Sequence, residues 1–500
     1  MKRVSIIGKY CNGFFLLFGV VLSMLGLTLL LYFPSIYDFI IHSALDLRPE
    51  TEAYKAWSTN DPPLILDMYF FNWTNADQVY DPTVKPHFEQ VGPYRFLEIK
   101  EKCNITFHEN DTVSFQFVKR YHFMEDESPK PLTDVINTIN PIATSAAYKS
   151  RFFHPLKKLM LSFGMSSTSK VYVTKTIDEL LFTGYEDPLL DMVRSLSILL
   201  PEGANVSDKF GWFYQRNNTY GLSGDFSMYT GHDENFGKLL SWDYRNRTDF
   251  YEGTCGEIRG SAGEFHPINR ERDFIEIYSS EMCSYAHLQY EKDVTVKGIK
   301  AYKYSSDTLF DNGTKVPENA CFCNGECIPS GVLNISSCRM DAPIFISLPH
   351  FYNADPYYIE SIEGLNPNKE EHDFYITLEP KSAIVVDIGA RMQLNVLLQP
   401  IKGFSLFEKV PKIYVPVFFF DQVVTVTDDL AVKMQLLQNL PDIRETAAYI
   451  LIIIGVVFMM STLCCWVNST KSQKLNRNEY KIPPQSIADE IPLKLKTETT

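Results

Sequence analysis

Two stretches without a charged residue, 11–33 (CNGFFLLFGVVLSMLGLTLLLYF) and 447–467 (AAYILIIIGVVFMMSTLCCWV), constrain this chain more than any other feature. Each is at least as long as the roughly 20 apolar residues with which a helix crosses a bilayer core, so both read as transmembrane helices. A cleaved signal peptide is the competing reading of the first. Its apolar run is longer than the about 7 to 15 residues of such a region and no A-x-A-like site follows, which favours an uncleaved anchor. Lys2, Arg3 and Lys9 precede the first span, and Lys471, Lys474, Arg477 and Lys481 follow the second. The positive-inside bias then puts both tails, 1–10 and 468–500, in the cytoplasm, and residues 34–446 outside the cell or in a lumen.

The intervening domain carries N-x-S/T sequons at Asn72, Asn104, Asn110, Asn205, Asn217, Asn246, Asn312 and Asn334. These are the expected glycosylation sites of a secretory-pathway domain, whereas the sequon at Asn468 falls on the cytosolic side. Cysteine usage agrees: Cys103, Cys255, Cys283, Cys321, Cys323, Cys327 and Cys338 all lie between the spans. The C-x-C-x3-C cluster at Cys321 also fits a zinc knuckle, but the neighbouring sequons imply an oxidising compartment and favour disulfides. Six cysteines permit 15 pairings, and Cys103 is left over. Cys11, Cys464 and Cys465 sit at the cytosolic membrane boundary, either as S-palmitoylation sites or as small apolar residues inside the spans.

Residues 34–446 show no internal repeat and exceed the about 250 to 300 residues at which a single core usually stops growing, so an internal void is an expectation. Strand signals dominate. In Thr112 to Phe123, Val113, Phe115, Phe117, Tyr121 and Phe123 recur with period two, a strand with one buried face. Similar runs occur at Gly298 to Tyr304, Ala342 to Leu348, Phe374 to Leu378, Ala383 to Leu398 and Lys412 to Phe420. The C-terminal half therefore reads as an antiparallel sheet or barrel, with turns at Asn366-Pro367, Glu379-Pro380 and Gln399-Pro400. Short helices are expected at Pro49 to Trp57 and Met434 to Arg444, and a turn at Asp178 to Leu181. Leu132 to Met165 reads as a small helical bundle, with Phe152, Phe153, Leu156, Leu159 and Met160 grouped at helical spacing.

Charge is unevenly spread. The tails carry a net +3 and +2, so the −14 of the whole chain leaves about −19 between the spans. Within that acidic domain, Val135 to Ile177 contains no Asp or Glu but holds Lys149, Arg151, Lys157, Lys158, Lys170 and Lys175, with His154. A cationic window of this kind attracts anionic head groups, lipoproteins or acidic proteins by steering and charge-assisted hydrogen bonds. The bland reading is a solvated helix face without a ligand.

Several local words point to a family. Val91-Gly-Pro-Tyr-Arg-Phe96, Tyr185-Glu-Asp-Pro188, Ser347-Leu-Pro-His-Phe351, Gly364-Leu-Asn-Pro-Asn368, Glu370-Glu371-His372 and Glu379-Pro380 resemble the class B scavenger receptors, the family of the platelet fatty-acid translocase, a lysosomal integral membrane protein and croquemort-like insect receptors. The resemblance covers the whole chain. It implies an α+β membrane protein: two transmembrane helices flanking one large ectodomain, with an antiparallel β-barrel core, an apical helical bundle and an apolar tunnel for lipids. It also implies disulfides joining Cys255 to Cys321, Cys283 to Cys338 and Cys323 to Cys327. The closely spaced lysines that some members place at the tunnel mouth would fall around Ser166 to Ser169, where only Lys170 is near.

No G-x-S-x-G elbow, H-E-x-x-H or P-loop is present, so no catalytic residue, metal or cofactor is expected. The expected function is a plasma-membrane receptor that binds anionic lipid or lipoprotein particles or apoptotic cells and passes lipid through the domain. A lysosomal or endosomal carrier of an enzyme cargo, with His154 as a pH-sensitive group, is the alternative, as is a sensory lipid or pheromone co-receptor. Tyr480 and Asp489-Glu490-Ile-Pro-Leu493 fall short of sorting signals, which favours the cell surface.

Overall fold

The computed structural model describes residues 2–59, 64–195, 206–231 and 233–479, with side chains from residue 13 to residue 471 within those segments. The chain separates into two compact units, Met1–Ile40 with Leu436–Thr500, and Ile41–Gln435.

The first unit is built on two long terminal helices, α1 (Lys2–Ala44) and α9 (Asp428–Glu479). Both are long and apolar enough to cross a membrane, and both run on beyond the apolar stretches as single helices. Small residues let their backbones approach: a Cβ on Gly19 would sit 2.7 Å from the Gly455 carbonyl oxygen, and one on Gly26 2.7 Å from that of Ala448. Phe15 stacks on Phe458 with ring centroids 5.8 Å apart. Close approach through small residues is how helices associate where no hydrophobic effect operates between them. Leu17, Leu31, Ile453 and Val457 point away from the pair, as lipid-facing side chains would.

In the second unit one antiparallel sheet holds thirteen strands among the described residues. Its path runs β7 (Leu239–Trp242), β6 (Phe226–Tyr229), β3 (Thr112–Phe123), β2 (Phe88–His108), β1 (Leu64–Trp73), β15 (Ile413–Thr425), β14 (Val385–Leu398), β13 (Tyr375–Leu378), β10 (Ile299–Ser305), β9 (Ser284–Val296) and β8 (Phe274–Ser279). Off this path β12 (Ile344–Ser347) pairs with β14, and β11 (Val332–Asn334) with β12. A single stretch links the two edges: Leu239 N–H donates to the Gly260 carbonyl at 2.8 Å, and Ser261 exchanges bonds with Glu276 and Tyr278 at 3.0 and 2.8 Å. The sheet thereby becomes a nearly closed barrel. Gly260 has φ +77° and a Cβ there would fall 2.1 Å from the Glu276 carbonyl oxygen, so only glycine fits the closure.

The expectation for the C-terminal half holds, but the sheet also recruits strands from the first half. β1 pairs with β15, with Phe70 opposite Phe418 and Met68 opposite Phe420, so the first and last strands lie side by side in the barrel wall. β15 is buried at every position from Ile413 to Phe419, which explains its unbroken apolar run: both faces are covered.

Helices cluster in one excursion. β4 (Val135–Ile139) and β5 (Tyr172–Thr176) form a separate two-stranded ladder at its base. Between them lie α3 (Pro141–Lys149), whose N-cap Asn140 accepts from Ile142 and Ala143 N–H, and α4 (Pro155–Thr168), capped by His154. α5 (Ile177–Leu181) starts with a Thr176/Glu179 capping box, and α6 (Pro188–Ser195) follows. Two corrections result. The start of the supposed bundle, residues 135–139, is a strand whose alternation is masked by its brevity. The apolar set on α4 and the turn before it is not the core face: Leu161 (3% exposed) and Met165 are buried, whereas Phe152 (83%), Leu159 (66%) and Phe163 (77%) stand in solvent.

The remaining helices are short: α2 (Glu52–Thr59), α7 (Pro356–Glu360) and α8 (Lys369–His372). α2 is pinned to the barrel by Lys102, whose Nζ donates to the Trp57 carbonyl at 2.6 Å and pairs with Glu264 at 2.9 Å. On the far side of the wall His350 and His372, both buried, stack with ring centroids 4.5 Å apart. His350 Nδ1 accepts from Asn366 N–H at 3.0 Å, so Nε2 carries the proton it donates to Gln90 Oε1 at 2.6 Å. His372 Nδ1 accepts from Asn368 N–H at 2.9 Å. Disulfides join Cys255 to Cys321, Cys283 to Cys338 and Cys323 to Cys327, all within one face of loops between β7 and β12.

Candidate functional site

Alternation along the barrel strands sends one set of side chains inward, where they line a cavity of about 1550 Å³. Phe117, Phe226, Ile277, Ile376, Met392 and Phe418, from six different strands, supply its apolar wall. Such a space shelters hydrocarbon from water at about 0.8 kcal/mol per CH2 group. It also reaches the helical excursion, since Lys149, Arg151, Phe152 and Phe153 belong to its lining.

Charged groups interrupt the apolar wall in two places. Lys100 and Lys102 meet Glu264 at 3.4 and 2.9 Å. Burial pulls the Lys102 ammonium down to about 8; burial opposes ionisation of Glu264, but the two lysines outweigh it and lower its carboxyl. Elsewhere Lys119 lies 3.9 Å from Glu98 and 3.5 Å from Glu281, and Arg339 lies 3.1 Å from Glu281. Gln422 Nε2 donates to Glu98 at 2.7 Å. Glu281 keeps 47% of its side-chain surface accessible and lines the cavity. Its enclosure would raise its pKa; Lys119, Arg339 and Arg216 reverse this and bring it down to about 2. Spacing could not have revealed these groups, because they are scattered from residue 98 to residue 339 and meet only when the barrel closes.

The basic window is divided by the fold. Lys149, Lys157 and Lys170 are exposed, and Lys158 is half-buried. Arg151 lies over the Tyr148 ring at 3.6 Å and the Phe152 ring at 4.6 Å. Lys175 is set apart on β5, paired with Glu179 at 3.3 Å. His154 is exposed, and its Nδ1 accepts from Leu156 N–H at 3.4 Å. Beside these cations runs the exposed apolar stripe from Phe152 to Phe163. The sequence displayed its period, but periodicity states that a face exists and not what covers it.

Among the sequons, Asn104, Asn110, Asn217 and Asn246 are exposed, Asn72 and Asn334 partly buried, and Asn205 lies outside the described residues. Asn312 is buried, its Nδ2 donating to the Ile328 carbonyl at 2.5 Å. Cys103 carries a free, partly buried thiol; Cys464 and Cys465 are exposed, and the Cys11 side chain lies outside the described residues. Among the described residues no group of three His, Cys, Asp or Glu side chains is placed to hold a metal ion.

The model of the CD36 family matches residues 17–466. Protein peste of Drosophila melanogaster is 36% identical over 433 residues, 84% of this chain and 75% of that protein. Scavenger receptor class B member 1 of Mus musculus is 30% identical over 459 residues, 90% of this chain and 88% of that protein. Lysosome membrane protein 2 of Homo sapiens is 31% identical over 451 residues, 88% of this chain and 91% of that protein.

Proposed function

This chain belongs to the CD36 family, the class B scavenger receptors, and from that premise we propose that it is a cell-surface receptor that captures anionic lipid or lipoprotein particles, or apoptotic cells, and passes lipid into its barrel. The observation that carries the reading is the apolar cavity of about 1550 Å³ whose lining includes part of the basic helical excursion. Cations beside exposed apolar side chains suit a surface of anionic head groups over hydrocarbon: the charge draws the particle in and the apolar stripe holds it. In this reading residues 1–10 and 468–500 are cytoplasmic tails, 11–33 and 447–467 the spans, and 34–446 a glycosylated ectodomain. Lys149, Arg151, Lys157, Lys158 and Lys170 make the capture surface, with Lys175 contributing only from its ion pair. The protein works as a receptor and carrier, without a catalytic step.

The relative called Lysosome membrane protein 2 supports a second location, the lysosomal or endosomal membrane. Surface biotinylation of the expressed protein separates the two. Function is tested by uptake of labelled fatty acid, sterol ester and phosphatidylserine vesicles into cells with and without the protein. Uptake of at least one lipid should rise with expression; no difference for any of them overturns the reading.

A further inference from the structure

Lipid can fill the barrel only as fast as water leaves it. A space of about 1550 Å³ holds on the order of 50 water molecules at about 30 Å³ each, and a chain that enters from the helical excursion must displace them. In a cavity with one opening, lipid and water would have to pass each other there.

The barrel has a second way out. A side chamber of about 320 Å³ adjoins the main cavity, and Phe117, Lys119, Tyr121 and Glu281 line both. Its outer end is at the surface, where Arg216, Gly221 and Leu222 are exposed. No residue from Pro141 to Thr168 lines it, so this end is separate from the one that reaches the excursion. The passage between the two spaces is charged. Lys119 lies 3.5 Å from Glu281 and 3.9 Å from Glu98, and Arg339 lies 3.1 Å from Glu281, so these four side chains form an ionic girdle. Arg339 also donates to the Glu281 carbonyl at 2.8 Å, and the Cys283–Cys338 disulfide joins the same two loops, which fixes the aperture in place. Farther out Thr219, Asp225 and Asp243 keep the lining polar. An alkyl chain lodged in the girdle would strip water from the accessible surface of Glu281 and Lys119, whereas water solvates both.

A second observation points the same way. Tyr278, near the end of β8 and 4% exposed, lines the main cavity, and its ring lies 5.7 Å from that of Trp242, which lines the side chamber. Its hydroxyl finds no hydrogen-bond partner among the described residues. A buried hydroxyl without a protein partner is a group that water satisfies.

We propose that the side chamber is a water vent: lipid enters the barrel from the side of the helical excursion, and the displaced water leaves through the girdle and out past Leu222, along a path that hydrocarbon does not take. The vent rests on the lipid-carrying reading of the cavity and adds to it the route of the counter-flow. Lipid does not come to rest in the vent. Closing it therefore raises the barrier to entry and exit alike and leaves the affinity unchanged.

The test is stopped-flow binding of parinaric acid, whose fluorescence rises in apolar surroundings, to the full-length chain stripped of lipid and reconstituted into phosphatidylcholine nanodiscs, with empty nanodiscs as the blank. Ser223→Trp and Leu222→Trp each put an indole into the side chamber, the first at its inner part and the second at its outer end. In Ser223→Trp the association and dissociation rate constants should both fall about tenfold, a barrier higher by about 1.4 kcal/mol, with their ratio unchanged. Leu222→Trp should lower both by a smaller common factor. If Ser223→Trp fails to fold, Leu222→Trp decides, since Leu222 is exposed and lies between elements. Rate constants equal to those of the unmodified chain overturn the vent. So does a loss of affinity through faster dissociation, which would make the chamber part of the resting place of the lipid. Failure of the unmodified chain to bind the probe overturns the lipid-carrying reading and the vent with it.

Discussion

The barrel interior and the helical excursion are both apolar surfaces studded with lysine and arginine, and they treat those cations in opposite ways. Inside the barrel each of Lys100, Lys102, Lys119 and Arg339 has a carboxylate within 4 Å. On the excursion, residues 135–177 contain no carboxylate of their own. An enclosed charge must be paired to be tolerated, whereas a solvated one can be left in excess and used at long range. Where charge sits relative to water thus separates a wall that holds a ligand from a surface that attracts one.

The largest effect should come from breaking the pairing. Glu264→Ala leaves Lys102, whose side chain is fully enclosed, without a carboxylate, and should cost about 3 kcal/mol or more in denaturant unfolding. Removal of a charge from the excursion by Lys170→Ala should stay within about 0.5 kcal/mol. Equal costs at the two sites would erase the distinction.

Acid provides the next. His350 and His372 are held neutral, with pKa values pushed down to about 3 and about 4 by burial, and His266 to about 3. The unfolded chain takes up those protons near pH 6.5 and the folded barrel does not, so stability is complete above that value and falls as the pH drops through the interval toward 4. Thermal unfolding at pH 5 should show a loss of about 2 kcal/mol per histidine relative to pH 7.5.

A finer comparison lies within α4 itself. Leu161→Ala removes a buried side chain and should cost about 2 to 4 kcal/mol at most, while Leu159→Ala, two residues away on the exposed stripe, should cost less than about 0.5 kcal/mol but weaken binding to phosphatidylserine vesicles. The capture surface itself is tested by charge reversal at Lys149, Arg151, Lys157 and Lys158. That variant should reach the surface and lose vesicle binding; unchanged binding removes the capture surface.

What was legible in the sequence follows from how local each constraint is. The spans are visible because every residue over some twenty positions must be apolar. β3 runs from Thr112 to Phe123 as its period-two pattern predicts, because one face is buried at Val113, Phe115 and Phe117 and partly buried at Tyr121 and Phe123. β2 was missed: Gly92-Pro93 and the polar run Lys100-Glu-Lys-Cys-Asn104 break its alternation, and Lys102 is a buried position filled by a lysine. β1, β8 and β9 were also not foreseen, and the Gly260–Ser261 closure has no pattern at all, since backbone hydrogen bonds make it. The girdle of Glu98, Lys119, Glu281 and Arg339 depends on that closure and was invisible for the same reason. On α4 the period was legible, but spacing alone does not say which face is covered.

The most direct test of the account is the lipid content of the cavity. Ala390 lines it, so Ala390→Trp should fill part of the space without touching the basic excursion. Mass spectrometry of lipid extracted from purified full-length protein should find bound lipid in the unmodified chain and markedly less in an Ala390→Trp protein with the same thermal transition. Equal lipid in both, or none in the unmodified chain, would contradict a lipid-carrying barrel.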